Sequence, residues 1–257
     1  MKPIPLFDSH FHIIDPRFPL VENQGYLPPA FGCEDYRRRM SDYRLLGGAV
    51  VSGSFQAFDQ DYLVTALQDL GETYVGVTQL PASYSDEEIL KLDREGVRAL
   101  RFNLKRGGSE GVNALVSMAQ RVYELVKWHV EFYVDSRELL LLEPLLSQLP
   151  KFSIDHLGLS EKGLPHLLRY AEKGAYIKAS GFSRVDMDVK KALKSLYAAN
   201  PSCLMFGSDL PSTRAPLPYM DRDYELVYDL LSEGAAEKLF FRNALAFYRL
   251  PLSSLSS

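Results

Sequence analysis

Two histidines spaced two residues apart near the start of the chain are the first candidates for chemistry. The run LFDSHFH at residues 6–12 begins apolar and ends polar, which predicts a short buried strand with His10 and His12 at its end. Because side chains alternate faces along a strand, both imidazoles point to the same side. Two imidazoles on one face suit a metal ion or the polarisation of a carbonyl oxygen.

Polar residues at the ends of later apolar runs form a second set of candidates. They are Arg101, Asn103, Tyr133, Asp135, Asp155, His156, Lys178, Ser180, Ser208 and Asp209. Asp209 stands out, because a carboxylate at a buried strand end must be paired or hydrogen-bonded, and two histidines are available for this. Two others have a structural alternative, Asp155 as a cap for backbone donors and Lys178 as one arm of a buried ion pair. His129 begins its strand, so we expect a structural role at the opposite end.

Eight apolar segments alternate with amphipathic segments, and these elements must position the candidates. The predicted strands cover residues 6–12, 49–54, 73–80, 97–104, 129–135, 152–156, 175–182 and 203–209. The predicted helices cover residues 34–46, 59–70, 85–95, 112–126, 137–149, 164–173 and 188–199, with closing helices at 223–231 and 235–248. Gly47 and Gly48 are predicted to end the first helix, and Ser136 to cap the fifth.

This alternation of strands and helices implies parallel pairing. Eight such units predict a closed (β/α)8 barrel, a TIM barrel of the α/β class, with residues 1–257 forming a single domain. An open doubly wound sheet is the alternative, but no Gly-x-Gly-x-x-Gly follows the first strand.

A closed barrel would bring the candidates together, because the carboxyl ends of all its strands open onto one face. Its first and eighth strands are neighbours, so we expect Asp209 to lie beside His10 and His12. A long loop rich in proline follows the first strand at residues 16–30, and we expect it to cover the site.

Composition narrows the class of protein. The 257 residues carry a net charge of −4 with no basic stripe, which argues against nucleic acid as a partner. No apolar run has the length of a membrane span, and the first residues lack the apolar stretch of a signal peptide. Cys33 and Cys203 are isolated, which fits a reducing, cytoplasmic compartment. We therefore expect a small-molecule substrate; the sequence indicates no particular oligomeric state.

Five pieces of the sequence, in their order and spacing, resemble the amidohydrolase superfamily. They are DSHFH at residues 8–12, YLPP at 26–29, VRALRFN at 97–103, IDH at 154–156 and GSDLP at 207–211. The chain looks most similar to the amidohydrolase-related lactonase branch, which includes pyrone-dicarboxylate lactonase and sugar lactonases. The resemblance implies a somewhat distorted TIM barrel that hydrolyses a cyclic ester or similar bond.

The resemblance also implies roles for individual residues. It makes His10, His12, His156 and Asp209 the catalytic cluster. It suggests substrate contacts for a second set: Tyr26, Arg101, Arg106 and Arg184. Leu159 stands where pyrone-dicarboxylate lactonase has an arginine, which argues against an identical mode of dicarboxylate binding.

The metal content of the site stays open at this point. Metal-rich members of the superfamily carry a bridging lysine or glutamate on the fourth strand and a histidine on the fifth. Here the fourth strand ends in Arg101 and the fifth in Tyr133, so a two-metal site is not expected. Two alternatives remain, a single zinc or manganese ion held by His10, His12 and Asp209, and a metal-free site.

The predicted function is the opening of a lactone of a small carboxylated or sugar-acid substrate. Asp209 would activate a water as general base and return the proton to the leaving alkoxide. The histidines would stabilise the oxyanion, and Arg101 would bind a carboxylate or hydroxyl of the substrate. Two alternatives are a mononuclear metal-dependent amide hydrolase or decarboxylase of the same superfamily, and a non-catalytic small-ligand-binding barrel.

Overall fold

Eight parallel strands form the centre of the fold in a computed structural model, which describes residues 4–251. The strands are β1 Leu6–Phe11, β2 Leu45–Val51, β3 Tyr74–Thr78, β4 Val97–Asn103, β5 His129–Tyr133, β6 Phe152–Ile154, β7 Tyr176–Ala179 and β8 Leu204–Phe206. Each strand pairs with the next one in the chain. This order confirms the predicted (β/α)8 barrel and excludes a doubly wound sheet, whose strand order reverses.

Helices follow the strands and cover the outside of the barrel with their apolar faces. They are α1 Cys33–Arg39, α2 Asp61–Leu70, α3 Asp86–Arg94, α4 Val112–Val126, α5 Leu139–Leu146, α6 Leu164–Glu172, α7 Val189–Ala199, α8 Asp221–Leu230, α9 Glu233–Glu237 and α10 Asn243–Tyr248. The bounds of α4 are those predicted, and a capping box formed by Ser85 and Glu88 begins α3 close to the predicted start of the third helix. Between residues 4 and 251, no helix has the length and apolar character needed to cross a membrane.

The barrel closes between β1 and β8 through a seam rather than through a regular ladder. The Asp209 amide donates to the His10 carbonyl over 2.7 Å, and the His12 amide donates to the Leu210 carbonyl over 2.7 Å. The Asp8 carboxylate accepts from the backbone amide of Ser208 over 2.8 Å and from its hydroxyl over 2.6 Å. The first and eighth strands are therefore neighbours, as expected, and the seam fixes Asp209 against His10.

The structure corrects the first predicted helix. Instead of covering residues 34–46, α1 ends at Arg39, and β2 already begins at Leu45. Gly47 and Gly48 lie inside this strand, where adjacent segments of the same polypeptide approach too closely for a side chain. A Cβ atom on Gly47 would lie 2.0 Å from the carbonyl oxygen of Thr73. Glycine here serves strand packing rather than helix termination.

Most strands end two or three residues before the predicted position, and two helical segments also differ from the prediction. Asp135, not Ser136, caps the fifth helical segment, since its carboxylate accepts from the Arg137 amide over 3.1 Å. The helix predicted at 235–248 is interrupted, because a wide turn at Lys238–Arg242 separates α9 from α10. In both places local polar pattern placed the element correctly but missed its internal geometry.

A buried network of charges fills the barrel interior beneath the strand ends. The Glu131 carboxylate pairs with the Lys178 ammonium, and it accepts hydrogen bonds from the Tyr248 hydroxyl over 2.6 Å and from the His129 ring over 3.1 Å. Burial by itself would raise the pKa of Glu131, but Lys178 and His129 outweigh it and lower this pKa to about 2. Lys178 is thus an arm of a buried ion pair, and His129 has a structural contact at the far end of the barrel.

We expect Lys178→Met to lower the free energy of unfolding by about 3–5 kcal/mol, because it leaves the buried Glu131 carboxylate without its cation. The double variant Lys178→Met/Glu131→Gln should regain most of this loss, since no unpaired charge then remains. Urea unfolding of both variants measures the difference.

The exposed Lys173→Met serves as a control and should change stability by less than about 0.5 kcal/mol. A double variant no more stable than the single one would contradict the ion-pair explanation. Because folding lowers the Glu131 pKa, this carboxylate contributes stability above its ordinary pKa of 4.5. That contribution should fade as the pH falls towards 2, where the carboxylate becomes protonated.

Candidate active site

Three imidazoles surround one carboxylate oxygen at the carboxyl ends of the strands. The Nε2 atoms of His10, His12 and His156 each lie 3.9 Å from Oδ1 of Asp209. All four side chains are buried. The structure thus brings together the four residues of the predicted cluster, although Asp209 is separated from His10 by most of the chain.

Two of these residues have an unusual backbone conformation. His156 has a φ of 50° and Asp209 a φ of 59°, both in the left-handed region that non-glycine residues rarely adopt. Gly181 leaves the space that the His156 ring needs, since a Cβ atom there would lie 2.8 Å from its Nδ1. Backbone strain of this kind is typical of positions where side-chain direction matters for function.

The two oxygens of Asp209 have different surroundings. Oδ2 accepts a hydrogen bond from Nε of Arg184 over 2.6 Å, and Arg184 is itself held by the Thr213 carbonyl over 2.8 Å. Oδ1 has no hydrogen-bond partner within residues 4–251, and neither has Nε2 of His10. Buried polar atoms normally have partners, so these two atoms, 3.9 Å apart, are candidates to contact a bound group.

The histidines are neutral at neutral pH. Burial is the largest cause that lowers the pKa of His12 well below its ordinary value, and the neighbouring His10 and Arg101 lower it further. Burial likewise lowers the pKa of His156 well below its ordinary value. Nδ1 of His12 lies 2.7 Å from the carbonyl oxygen of Val51 and must donate to it. Nε2 of His12 therefore presents a lone pair to the site.

His10 is held from below by the charged network. Its Nδ1 lies 3.3 Å from the Lys178 ammonium and 3.4 Å from the Asp155 carboxylate. Burial lowers the pKa of His10 as well. This contact joins the ion pairs of the barrel interior to the imidazole cluster and fixes the plane of the His10 ring.

Asp155 and Arg101 form a second buried ion pair beside the cluster. Asp155 makes no capping hydrogen bond from its side chain, which excludes the alternative that it caps backbone donors. Its carboxylate accepts from Nη2 of Arg101 over 2.9 Å, and Nη1 of Arg101 donates to the Ser52 carbonyl over 2.8 Å. Arg101 thus has partners inside the protein, and its contact with substrate stays a prediction.

The donor set fits a single divalent ion. Histidine nitrogens and one carboxylate oxygen are the ligands that zinc prefers, and the unpartnered His10 and Asp209 atoms face the same point. The His12 ring is oriented by a backbone carbonyl and the His10 ring lies beside a carboxylate, as is usual for metal-bound histidines. The predicted ligands His10, His12 and Asp209 form one group of possible ligands, and His156 forms a second such group with His10 and Asp155.

A small pocket of about 40 Å³ opens above the cluster. Among residues 4–251, its lining contains no carboxylate and four arginines: Arg101, Arg106, Arg184 and Arg214. Tyr26, a predicted substrate contact, instead lies under Arg214, whose guanidinium carbon is 4.6 Å from the ring centre. The 16–30 loop borders the pocket, since the Val21 amide donates to the carbonyl of the pocket residue Phe55 over 2.8 Å.

Sequence reasoning missed two residues of this region. Glu131 lies in the middle of β5 between His129 and Tyr133, and an ionisable residue inside a buried strand is itself a signal of pairing. Arg214 follows Asp209 in a proline-rich segment with no regular pattern. No local signal in that segment indicates that its side chain lines the pocket.

Two curated relatives align with the chain. D-galactarolactone isomerase of Agrobacterium fabrum is 25% identical over 265 residues, which cover 95% of this chain and 90% of the relative. A 2-pyrone-4,6-dicarboxylate hydrolase of Comamonas testosteroni is 29% identical over 160 residues, which cover 59% of this chain and 51% of that protein. One name refers to a lactone and the other to a pyrone dicarboxylate.

Known structures share the fold. An apo crystal structure from Agrobacterium tumefaciens has a TM-score of 0.85 at 22% identity and covers 97% of both chains. A structure from Acinetobacter baumannii, with citric acid bound, has a TM-score of 0.82 at 19% identity and covers 96% of this chain and 100% of its own. At these identities the likeness establishes the architecture alone. The match to the family described as Amidohydrolase spans residues 7–250, and the chain therefore belongs to this family of hydrolytic enzymes.

Proposed function

We propose that this enzyme opens the lactone ring of a small carboxylated or sugar-acid substrate, with Asp209 as the base that activates water. One observation carries the proposal: the buried, unpartnered Oδ1 of Asp209 faces three neutral imidazoles at the bottom of a cationic pocket. A general base must lie within reach of the water and of the substrate carbonyl, and this oxygen lies 3.9 Å from Nε2 of the pocket residues His12 and His156. The named relatives support a lactone or pyrone as the substrate class.

The attacking water would lie between two acceptors. It donates one hydrogen to Oδ1 of Asp209 and the other to the Nε2 lone pair of His12, which leaves an oxygen lone pair for the substrate carbonyl. Arg184 holds the other Asp209 oxygen and so keeps the carboxylate in one orientation. As the carbon–oxygen bond forms, the proton passes from the water to Asp209.

Two imidazoles would stabilise the resulting oxyanion. In the tautomer with hydrogen on Nε2, His156 and His10 donate into the site. The Ser180 hydroxyl, 3.0 Å from Nδ1 of His156, and the Lys178 ammonium supply the opposite hydrogen bonds that this tautomer requires. The ring carbon–oxygen bond then breaks, and Asp209 returns its proton to the leaving alkoxide, giving an open-chain hydroxy acid.

A divalent ion would be held by His10, His12, His156 and Asp209. When bound, such an ion would supply Lewis acidity towards the substrate carbonyl. The roles of Arg184 in orienting Asp209 and of the pocket arginines in attracting an anion are the same with or without it.

A second candidate reaction is the isomerisation of a lactone, which the relative aligned over 95% of the chain favours. In that reaction Asp209 would take the proton of a substrate hydroxyl instead of a water, and that hydroxyl would attack the carbonyl. The same base and the same oxyanion donors serve both reactions. The two differ only in whether water enters the product.

We expect Asp209→Asn to lower the turnover of the preferred lactone by about 10²–10⁴-fold, because an amide cannot accept the proton. Circular dichroism should show that the variant is folded at the assay temperature, although its unfolding midpoint should fall because Arg184 loses its counter-ion. The exposed Asp42→Asn is the matched control and should keep full turnover. Near-normal rates in Asp209→Asn on the same substrate would contradict its role as the base.

Mass spectrometry of the product in water enriched in oxygen-18 distinguishes the two reactions. For hydrolysis we expect the product to gain one water and one heavy oxygen in its new carboxylate. A product of unchanged mass with no label would instead establish isomerisation. A panel of γ- and δ-lactones of sugar acids and of pyrone carboxylates provides the substrates. No reaction with any member of the panel would contradict the proposed reaction and favour the alternative of a non-catalytic ligand-binding barrel.

Metal content tests the remaining alternatives. Elemental analysis before and after treatment with a chelator, followed by the lactone assay, measures the dependence on a bound ion. Turnover that is lost with the metal and restored by zinc or manganese would favour the metal-dependent branch of the family. Full turnover by metal-free protein would exclude it.

A further inference from the structure

The four arginines of the pocket fall into two electrostatic classes. Arg101 is neutralised by Asp155, and Arg184 is neutralised by Asp209. Within the described part of the chain, neither Arg106 nor Arg214 forms an ion pair with a carboxylate, although both line the same pocket. The positive charge available to a ligand therefore comes from these last two residues.

Arg214 is held in place by neutral groups. Its Nη1 donates to the side-chain oxygen of Asn23 over 3.1 Å, and its Nη2 donates to the Asn23 carbonyl. Its guanidinium also lies over the ring of Tyr26. These contacts orient the guanidinium without cancelling its charge, which is the arrangement expected of a preformed anion site.

Asn23 also connects this arginine to Arg106. Its side-chain amide donates to the carbonyl of Arg106 over 3.2 Å, so one asparagine links the two cationic loops. Burial, and then the neighbouring charge of Arg106, lowers the pKa of the Arg214 guanidinium. Two like charges brought together with no counter-ion are unfavourable by themselves, and an anionic ligand would offset this cost.

We propose that Arg214, oriented by Asn23 and Tyr26 and acting with Arg106, forms a subsite for a second carboxylate of the substrate. The subsite would select dianionic ligands over monoanionic ones, and the planar guanidinium of Arg214 would bind the carboxylate through two parallel hydrogen bonds. The identity of that ligand as a lactone rests on the proposed function. The charge selection rests only on the pocket.

Calorimetric binding of two planar probes tests this subsite without any turnover. Isophthalate and benzoate differ by one carboxylate. We expect the unsubstituted protein to bind isophthalate at least about tenfold more tightly than benzoate at low ionic strength. In Arg214→Gln this ratio should fall to about two or less, with benzoate affinity little changed. An unsubstituted protein without the preference, or an Arg214→Gln variant that keeps it, overturns the proposal.

A second substitution tests charge separately from shape. Asn23→Asp places a carboxylate against Arg214 and should also abolish the preference for isophthalate, because it supplies the counter-ion from within. A preference retained in Asn23→Asp would contradict the role of uncompensated charge. Arg38→Gln, which removes an exposed arginine paired with Asp35, is the matched control and should leave the ratio unchanged.

The outcomes separate this subsite from the proposed reaction. A preference for isophthalate without turnover of any lactone would support the subsite and refute the lactone reaction. Hydrolysis of lactones with equal binding of both probes would support the reaction and refute the subsite.

Discussion

Charges removed from water inside the barrel must be compensated there, and this requirement organises the site. Glu131 is compensated by Lys178, Asp155 by Arg101, and Asp209 by Arg184. Breaking any buried pair of this kind is costly, so the pairs act as fixed points rather than as adjustable contacts. The imidazoles pack against these ion pairs, and the ion pairs determine the positions of the imidazoles.

Near the pocket, some groups lack a charged or hydrogen-bonding partner among residues 4–251. Asp209 uses one oxygen for Arg184 and keeps the other unpartnered, while Arg106 and Arg214 line the pocket without an ion pair to a carboxylate. A protein selected for stability alone would pair such groups. A base and a cationic rim left without partners fit the anionic ester that we propose as the substrate.

The sequence predicts the arrangement of the strands and the position of the site, because the geometry of a closed barrel brings the carboxyl ends of all its strands to one face. Strand ends can be recognised from apolar runs, and a closed barrel then requires Asp209 to meet His10 and His12. Local pattern cannot predict which polar side chains pair within that interior. The pairing of Arg101 with Asp155 depends on side chains from β4 and the segment after β6. The direction of the Arg214 side chain depends on a left-handed backbone conformation, with a φ of 60°, in an irregular loop.

The hydrogen bonds from Arg214 to Asn23 also bear on what happens after the ring opens. Lactone hydrolysis creates one additional carboxylate, so the product of the proposed reaction is more negative than the substrate and would be held more strongly by a cationic rim. Asn23 belongs to the same 16–30 segment that borders the pocket and anchors Arg214. Displacement of that segment would break both hydrogen bonds that orient Arg214 and would therefore weaken the attraction of the cationic rim for the product.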